Sequence, residues 1–410
     1  MPRIKPRLVP VIAAGAVLAS SPALAQPPQA ELHIDVATHS APGMPGMGAA
    51  GRLAGLMGGG SQASYGMARH PAMPGKYLDI ALYNRNAPGT PARQAIPEGA
   101  RMGPHLELLP PPRPVAAARD GSSVADGLGR GDGGRGRILH YWGCGEQVGP
   151  GQPREFSFEV RDGTVHTTGD APAPRAIADA GISAGPEFGL WPNETHGRAV
   201  PADSSLRGGH QVSGEALPPS LQFELQRAHD FMPALQAERN GSAADGLVLQ
   251  WQPVDGARAY FLHAMGNRGA DTVVMWSSSE VGNAGPELMN YLTSAQADQW
   301  VREKVLLDGD VRSCRIPREV FAAADGATAE PMVQMIAYGG DSLIAQPRPA
   351  DAGPDWTPEW NVHVRNKSTA MLMPGMDAVS MPAAKDVAEE TGKDQVKRAA
   401  RGLLRGILGR

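Results

Sequence analysis

The sequence predicts a mainly β protein. It has a β-sandwich-like domain over residues 215–373, a second β-rich region N-terminal to it, and an amphipathic helix at the C-terminal end. Three observations carry this reading. Short apolar runs alternate with polar residues at period two, the spacing of half-buried strands. Gly (51) and Pro (38) make roughly a fifth of the 410 residues and punctuate those runs as turns do. From residue 383 onward the apolar positions change to helical spacing, with basic residues opposite them.

Residues 1–25 read as a secretory signal peptide. Arg3, Lys5 and Arg7 give a basic start, and residues 9–18 form an apolar run too short to span a bilayer. Ala23-Leu24-Ala25 is a small-x-small cleavage site before Gln26. The expected location is outside the cytoplasm, periplasmic or associated with the outer envelope. ATP, NAD(P)H and the chromosome are absent there, which excludes most kinase, reductase and regulator functions. The formal charge is −4, and about −7 once Arg3, Lys5 and Arg7 are removed. That offers no footprint for nucleic acid. No later apolar stretch reaches about 18 residues, so no transmembrane helix is expected.

The region 26–137 opens on a strand at 31–36 (Glu-Leu-His-Ile-Asp-Val) and continues through a Gly-, Met- and Pro-rich loop at 40–76. In 76–83, Leu78, Ile80 and Leu82 share one face and Tyr77, Asp79, Ala81 and Tyr83 the other, as in a half-buried strand. A short strand at 105–109 is broken by the prolines at 110–114, which cannot donate to a ladder. Residues 116–137 read as a linker. In the region 138–214, residues 137–142 rise as a strand into Gly143-Cys144-Gly145. Segments 155–161 and 164–168 flank Asp162-Gly163 as a hairpin, and 170–207 shows weak patterning.

The clearest fold indication lies in 215–373. Leu247, Leu249 and Trp251 share a strand face, Pro253 to Ala257 makes a turn, and Tyr260, Leu262 and Ala264 share the next face. This Trp-x-x-Val-x-Gly-Ala-x-x-Tyr arrangement resembles the second and third strands of fibronectin type III modules. The resemblance implies an Ig- or fibronectin-like sandwich in which that Trp and Tyr pack between two sheets. Segments 220–226, 271–277, 332–338 and 360–364 supply further strands. Helices are expected at 287–307, N-capped by Ser294, and at 317–324, which makes them insertions in such a sandwich. In leader and composition the chain also resembles uncharacterised exported proteins of Gram-negative bacteria, a likeness that assigns no residue roles.

The tail, 374–410, carries a helix starting at Thr391-Gly-Lys-Asp394, a capping-box pattern. Val396, Ala400, Leu403, Leu404, Ile407 and Leu408 fall on one side and Lys393, Lys397, Arg398, Arg401 and Arg405 mostly on the other. Such a helix binds an anionic membrane surface or docks on an envelope protein; the alternative is packing on its own domain. The contact residues expected are Lys393, Lys397, Arg398, Arg401, Leu404, Arg405 and Leu408.

Cys144 and Cys314 allow one intramolecular disulfide in an oxidising compartment; the alternative is two buried thiols. Met44, Met47, Met57, Met67 and Met73 surround His70, and Met371, Met373, Met376 and Met381 precede the tail. Thioethers select Cu(I), which makes soft-metal binding a second functional reading beside gap filling by Met. Gly181-x-Ser183-x-Gly185 matches a nucleophile elbow, with His196 or His210 nominable as base. It lacks the strand–turn–helix context, and a serine hydrolase is the weakest reading. His140 four residues before Cys144 is a faint Cys/His pattern better explained by a half-cystine in a Gly turn. Asp308-Gly-Asp310 is too short for a calcium loop. No motif calls for a cofactor, and the expectation is a non-enzymatic binding or scaffolding protein of the cell envelope.

Overall fold

The computed structural model describes residues 27–42, 64–69, 73–112, 135–161, 164–169, 174–177, 182, 184–269, 271–322 and 330–374. Alternation decides the backbone first. In β1 (Ala30–Ser40), Leu32, Ile34 and Val36 enter one core, and the side chains between them face the other way. The same period sets Leu78, Ile80 and Leu82 in β2 (Gly75–Asn84) and Leu247, Leu249 and Trp251 in β12 (Gly246–Trp251). The chain is mainly β, built in several sheets.

The largest sheet takes strands from both halves of the chain. Its order is β7 (Thr164–Gly169), β6 (Arg154–Arg161), β5 (Arg135–Trp142), β14 (Thr272–Ser277), β13 (Ala259–Asn267), β17 (Met332–Ala345), β18 (Trp360–Leu372), β1, β2 and β8 (Phe188–Trp191). The short β15 (Leu307–Asp308) also pairs with β13. Neighbours are antiparallel except at two places. β1 runs parallel to β18, with Ala30 opposite Trp360 and Ser40 opposite Ala370, and β14 runs parallel to β5. A register shift in β17 between Tyr338 and Asp341 bends the strand beside β18. Gly339 sits in that bulge, where a Cβ would run into Asn366.

Two small sheets cover one face of the large one. The first is β10 (Gln222–Leu225), β9 (Gly208–Gly214), β3 (Ala92–Ala95) and β4 (His105–Leu108). It encloses a core of Leu32, Ile34, Ile80, Leu106, Val212, Trp191 and Trp360. The second is β11 (Ala237–Ser242), β12 and β16 (Ser313–Ile316), over Leu249, Trp251, Tyr260, Leu262, Trp276 and Met335. Burying one such large side chain contributes about 1.5–3 kcal/mol. Trp251 comes from the small sheet and Tyr260 from the large one, their ring centroids 5.4 Å apart. The turn between them therefore carries the chain across the layer gap.

The helices are shorter than the sequence suggests. α1 (Ser294–Arg302) is a nine-residue helix within the 287–307 span, and α2 (Arg318–Phe321) is a single turn. The N-cap of α1 is Thr293, not Ser294. The Thr293 hydroxyl accepts from the Gln296 N–H, while the Ser294 side chain turns to Asp341. Strands β3, β8, β9, β11 and β16 fall in stretches with no legible alternation. β18 runs well past residue 364, and β1 past residue 36. Among the described residues no helix is long and apolar enough to cross a membrane.

Candidate functional site

The second face of the large sheet holds the strongest concentration of buried charge. Alternation places Asp35 of β1 directly opposite Asp79 of β2, with Arg365 of β18 on the other side of Asp35. Lys367 follows two residues along β18 on the same face. Segment 64–69 and Tyr291 lie over these groups: the Tyr291 hydroxyl donates to the Ala68 carbonyl at 3.2 Å. The expectation of a half-buried β2 is thus corrected. Asp79 is 2% exposed, because a further layer of chain covers the polar face.

Asp35 is the hub. The Arg365 guanidinium grips it through two bonds, Nε to Oδ1 at 2.8 Å and a terminal nitrogen to Oδ2 at 2.7 Å. Arg69 adds a third through Nε at 3.3 Å. Burial alone would push the Asp35 carboxyl up, but the two guanidiniums outweigh it and hold the pKa below the ordinary carboxylate value. Asp79 has no such partner. Its Oδ2 accepts the Ala68 N–H at 3.0 Å and its Oδ1 has no hydrogen-bond partner. Burial, then the like charge on Asp35, push Asp79 up to about 7. The Lys367 ammonium donates to the carbonyls of Arg69 (2.6 Å) and Met289 (3.3 Å) and lies 4.5 Å from the Tyr291 ring centroid. Burial brings its pKa down to about 7, against the pull of Asp35.

Chemically, this arrangement spends its charges on the fold. Arg69 and Lys367 pin segment 64–69 and the backbone at Met289 to the sheet, and Arg69 also donates to the Ile182 carbonyl at 3.0 Å. His39 extends the network, 2.7 Å from the Thr369 hydroxyl and 3.3 Å from the Met67 carbonyl.

The two shifted groups give opposite pH dependences. Asp79 binds its proton more tightly when folded, so its contribution is full below about 4 and is lost as pH rises through about 7. Lys367 binds its proton less tightly when folded. Its contribution is full only above 10.5 and is lost as pH falls toward 7. Asp79→Asn is therefore expected to gain on the wild type between pH 4 and 7, at roughly 1.4 kcal/mol per unit as an upper bound, and to hold that gain above pH 7. Urea denaturation of both proteins at intervals of one pH unit checks this. A difference that does not change with pH rejects the assignment. The comparison with the variant is needed because buried His140 and His263, whose pKa values are lowered to about 4 and about 3, tilt the bare profile the other way below pH 6.5.

Comparison with known proteins finds no matching family model and no similar curated protein. The residues themselves carry the reading.

Of the residues singled out from sequence, Cys144 and Cys314 are brought together. Their sulfurs are bonded at 2.09 Å and their Cα atoms lie 5.2 Å apart. That disposes of a Cys144 nucleophile. His140 is buried on the second sheet face instead. Lys393, Lys397, Arg398, Arg401, Leu404, Arg405 and Leu408 lie outside the described residues, as do Ser183, His70, Met44, Met47, Met57, Met376 and Met381. His196 is exposed, whereas His210 is buried in bonds to Gln94 and the Leu206 carbonyl. Asp308 and Asp310 form a turn in which the Asp310 N–H donates to the Asp308 carboxylate at 3.0 Å. Sequence reasoning missed Asp35, Arg365 and Lys367. Their only trace was a charged residue inside an otherwise strand-like run.

Proposed function

We propose that this protein is an exported component of the cell envelope that binds or scaffolds rather than catalyses. The observation that carries the reading is the commitment of Asp35 and Lys367, at the centre of the buried charge cluster, to bonds within the fold. Asp35 is held by two guanidiniums and Lys367 by two carbonyls, beneath a roof pinned by those same bonds. Charges committed in this way stabilise a framework. A catalytic centre needs them free to face a substrate.

Export is supported by the leader-like residues 1–25 and by the Cys144–Cys314 bond, a feature that persists in oxidising compartments. The Ig- or fibronectin-like character is supported by the Trp251–Tyr260 contact between two sheets. The parallel pairs β1–β18 and β5–β14 depart from the antiparallel sandwiches of that class. Contact with an anionic membrane surface or an envelope protein is assigned to the basic helix around Lys393 to Leu408, on its sequence pattern. Each Lys or Arg at an anionic surface contributes about 1 kcal/mol.

Envelope fractionation of the full chain beside a chain lacking residues 383–410 tests the proposal. Release of the shortened protein into the soluble fraction is expected. Unchanged fractionation rejects the tail as the contact element, and labelling of the full chain by a serine-directed probe at Ser183 replaces scaffolding with hydrolysis.

A further inference from the structure

A sheet ends in strands whose outer backbone groups need a partner or protection. Most edges of this molecule have one or the other. β8, at one end of the large sheet, exchanges bonds with Leu109: the Leu109 N–H donates to the Leu190 carbonyl at 3.1 Å, and the Leu190 N–H donates back at 2.8 Å. β10 and β4, at the ends of one small sheet, carry Glu224 and Glu107. β11 and β16, at the ends of the other, carry Arg239 and Arg315. β7, at the far end of the large sheet, has neither device. It pairs with β6, and among the described residues no further backbone bond reaches it. Its sequence, Thr-Val-His-Thr-Thr-Gly, holds no Lys, Arg, Asp, Glu or Pro. Thr164, His166, Thr167 and Thr168 are exposed.

We propose that β7 is a self-association edge, through which two copies of this chain pair antiparallel about a two-fold axis at Thr167 and join their large sheets into one. In an antiparallel ladder alternate residues turn their N–H and C=O groups to each side, so half of those on β7 point away from β6. A two-fold axis perpendicular to the sheet pairs an edge with itself. Both copies are satisfied at once and the assembly closes at two, which a different partner chain would not ensure. Thr167 then faces Thr167 of the second copy, and His166 faces Thr168 of the second copy. Charge favours the same occupant. A charged side chain near such an axis meets its own like, and β7 carries none. The nearest charges behind the edge, on β6, are matched within that strand, where Arg161 donates to Glu159 at 2.6 Å.

The approach to this edge is open. The core beneath β11, β12 and β16 takes Leu139 and Tyr141 of β5 but no side chain of β6 or β7. On that face Glu155 of β6 and His166 of β7 are exposed. The hairpin is nevertheless anchored from its other face, where Phe156 packs with Ile138, Val273 and Met275. It therefore projects beyond the covering layer without being loose. A contact one strand wide is smaller than an obligate dimer interface, so the association is expected to depend on concentration. The edge shares no residue with the tail helix, so its failure and the failure of the envelope-contact reading are separate results.

The test is sedimentation velocity of the full chain over a concentration series, with amide hydrogen exchange at each concentration. A monomer–dimer equilibrium is expected, with exchange in 164–169 slowing as the dimer fills. Thr167→Lys sets one Lys against its own copy and should raise the dissociation constant roughly fivefold; His166→Lys/Thr168→Lys sets two such pairs and should raise it roughly 25-fold. These side chains are exposed, so the urea midpoint should not move. Thr167→Cys keeps the test valid if a Lys variant does not fold. Residues directly opposite across two strands lie within disulfide reach, so the oxidised dimer should cross-link through it. Three results would overturn the proposal: a monomer at every concentration, a dimer that neither Lys variant weakens and Thr167→Cys does not cross-link, or concentration-dependent protection confined to a segment other than 164–169.

Discussion

Replacing Asp35 by Asn is expected to destabilise the protein by about 3–5 kcal/mol, the loss seen when one partner of a buried ion pair is removed. The size follows from what stays behind. Arg365, Arg69 and Lys367 remain in the same enclosed space, and Asp35 is the one carboxylate among the described residues to which the guanidiniums of Arg365 and Arg69 are bonded. The variant should respond by drawing a new negative charge from its neighbour. Asp79 sits near 7 partly because Asp35 repels its charge. With Asp35 neutral, its repulsion is gone and the neighbouring cations are no longer offset by its charge, so the Asp79 pKa should fall well below 7. Urea denaturation at pH 5 and pH 8, with carboxyl titration followed by NMR, measures both effects. A loss below about 1 kcal/mol would show that the cluster relaxes into water and does not hold the roof in place.

Breaking the Cys144–Cys314 bond has an expected effect of similar size. The two cysteines are 170 residues apart, and a closed loop of that length removes about 5 kcal/mol of chain entropy from the unfolded state. The bond ties the loop after β5, in the large sheet, to β16 in a small sheet. The Gly145 N–H to Arg315 carbonyl bond, at 2.9 Å, runs beside it. The pair Cys144→Ser/Cys314→Ser should lower the urea midpoint with little change in the folded circular dichroism spectrum. A midpoint unchanged by substitution, or by reductant, rejects the disulfide as a stabilising element.

These two sites differ in how far the sequence reveals them. Cysteine chemistry is local to two residues, so pairing was a matter of counting and compartment. Asp35 and Arg365 are 330 positions apart, and only the parallel pairing of β1 with β18 brings them together. No local period announces such a partner. The strands show the same division. Residues 247–251 are legible because Leu247, Leu249 and Trp251 enter one apolar core; in 260–264 Tyr260, Leu262 and Ala264 enter the same core, while Phe261 fills a second core on the opposite face. β18 reads as Arg-Asn-Lys-Ser-Thr across its middle, which looks like a solvent loop. It is a strand because Lys367 and Ser368 are fully buried against groups supplied from elsewhere. Short strands such as β3 and β8, at four residues each, are below the length at which period two can be recognised. The helix at 294–302 was visible by its pattern, but its cap shifted to Thr293 because Asp341 claims the Ser294 backbone N–H.

The pairing of β1 with β18 also sets a schedule. A strand made at the start of the chain finds one of its two neighbours only when the last described strand has been made, 330 residues later. Until then β1 can join β2, but its other edge, with a run of apolar side chains, stays open to foreign pairing. Contacts so distant in sequence slow folding, since closure entropy must be overcome before they yield any gain. A chain halted before residue 360 would hold β1, β2 and β17 without the strand that joins them. Such a fragment would aggregate or need a holding chaperone. The middle of the large sheet is therefore the last part of this molecule to become whole.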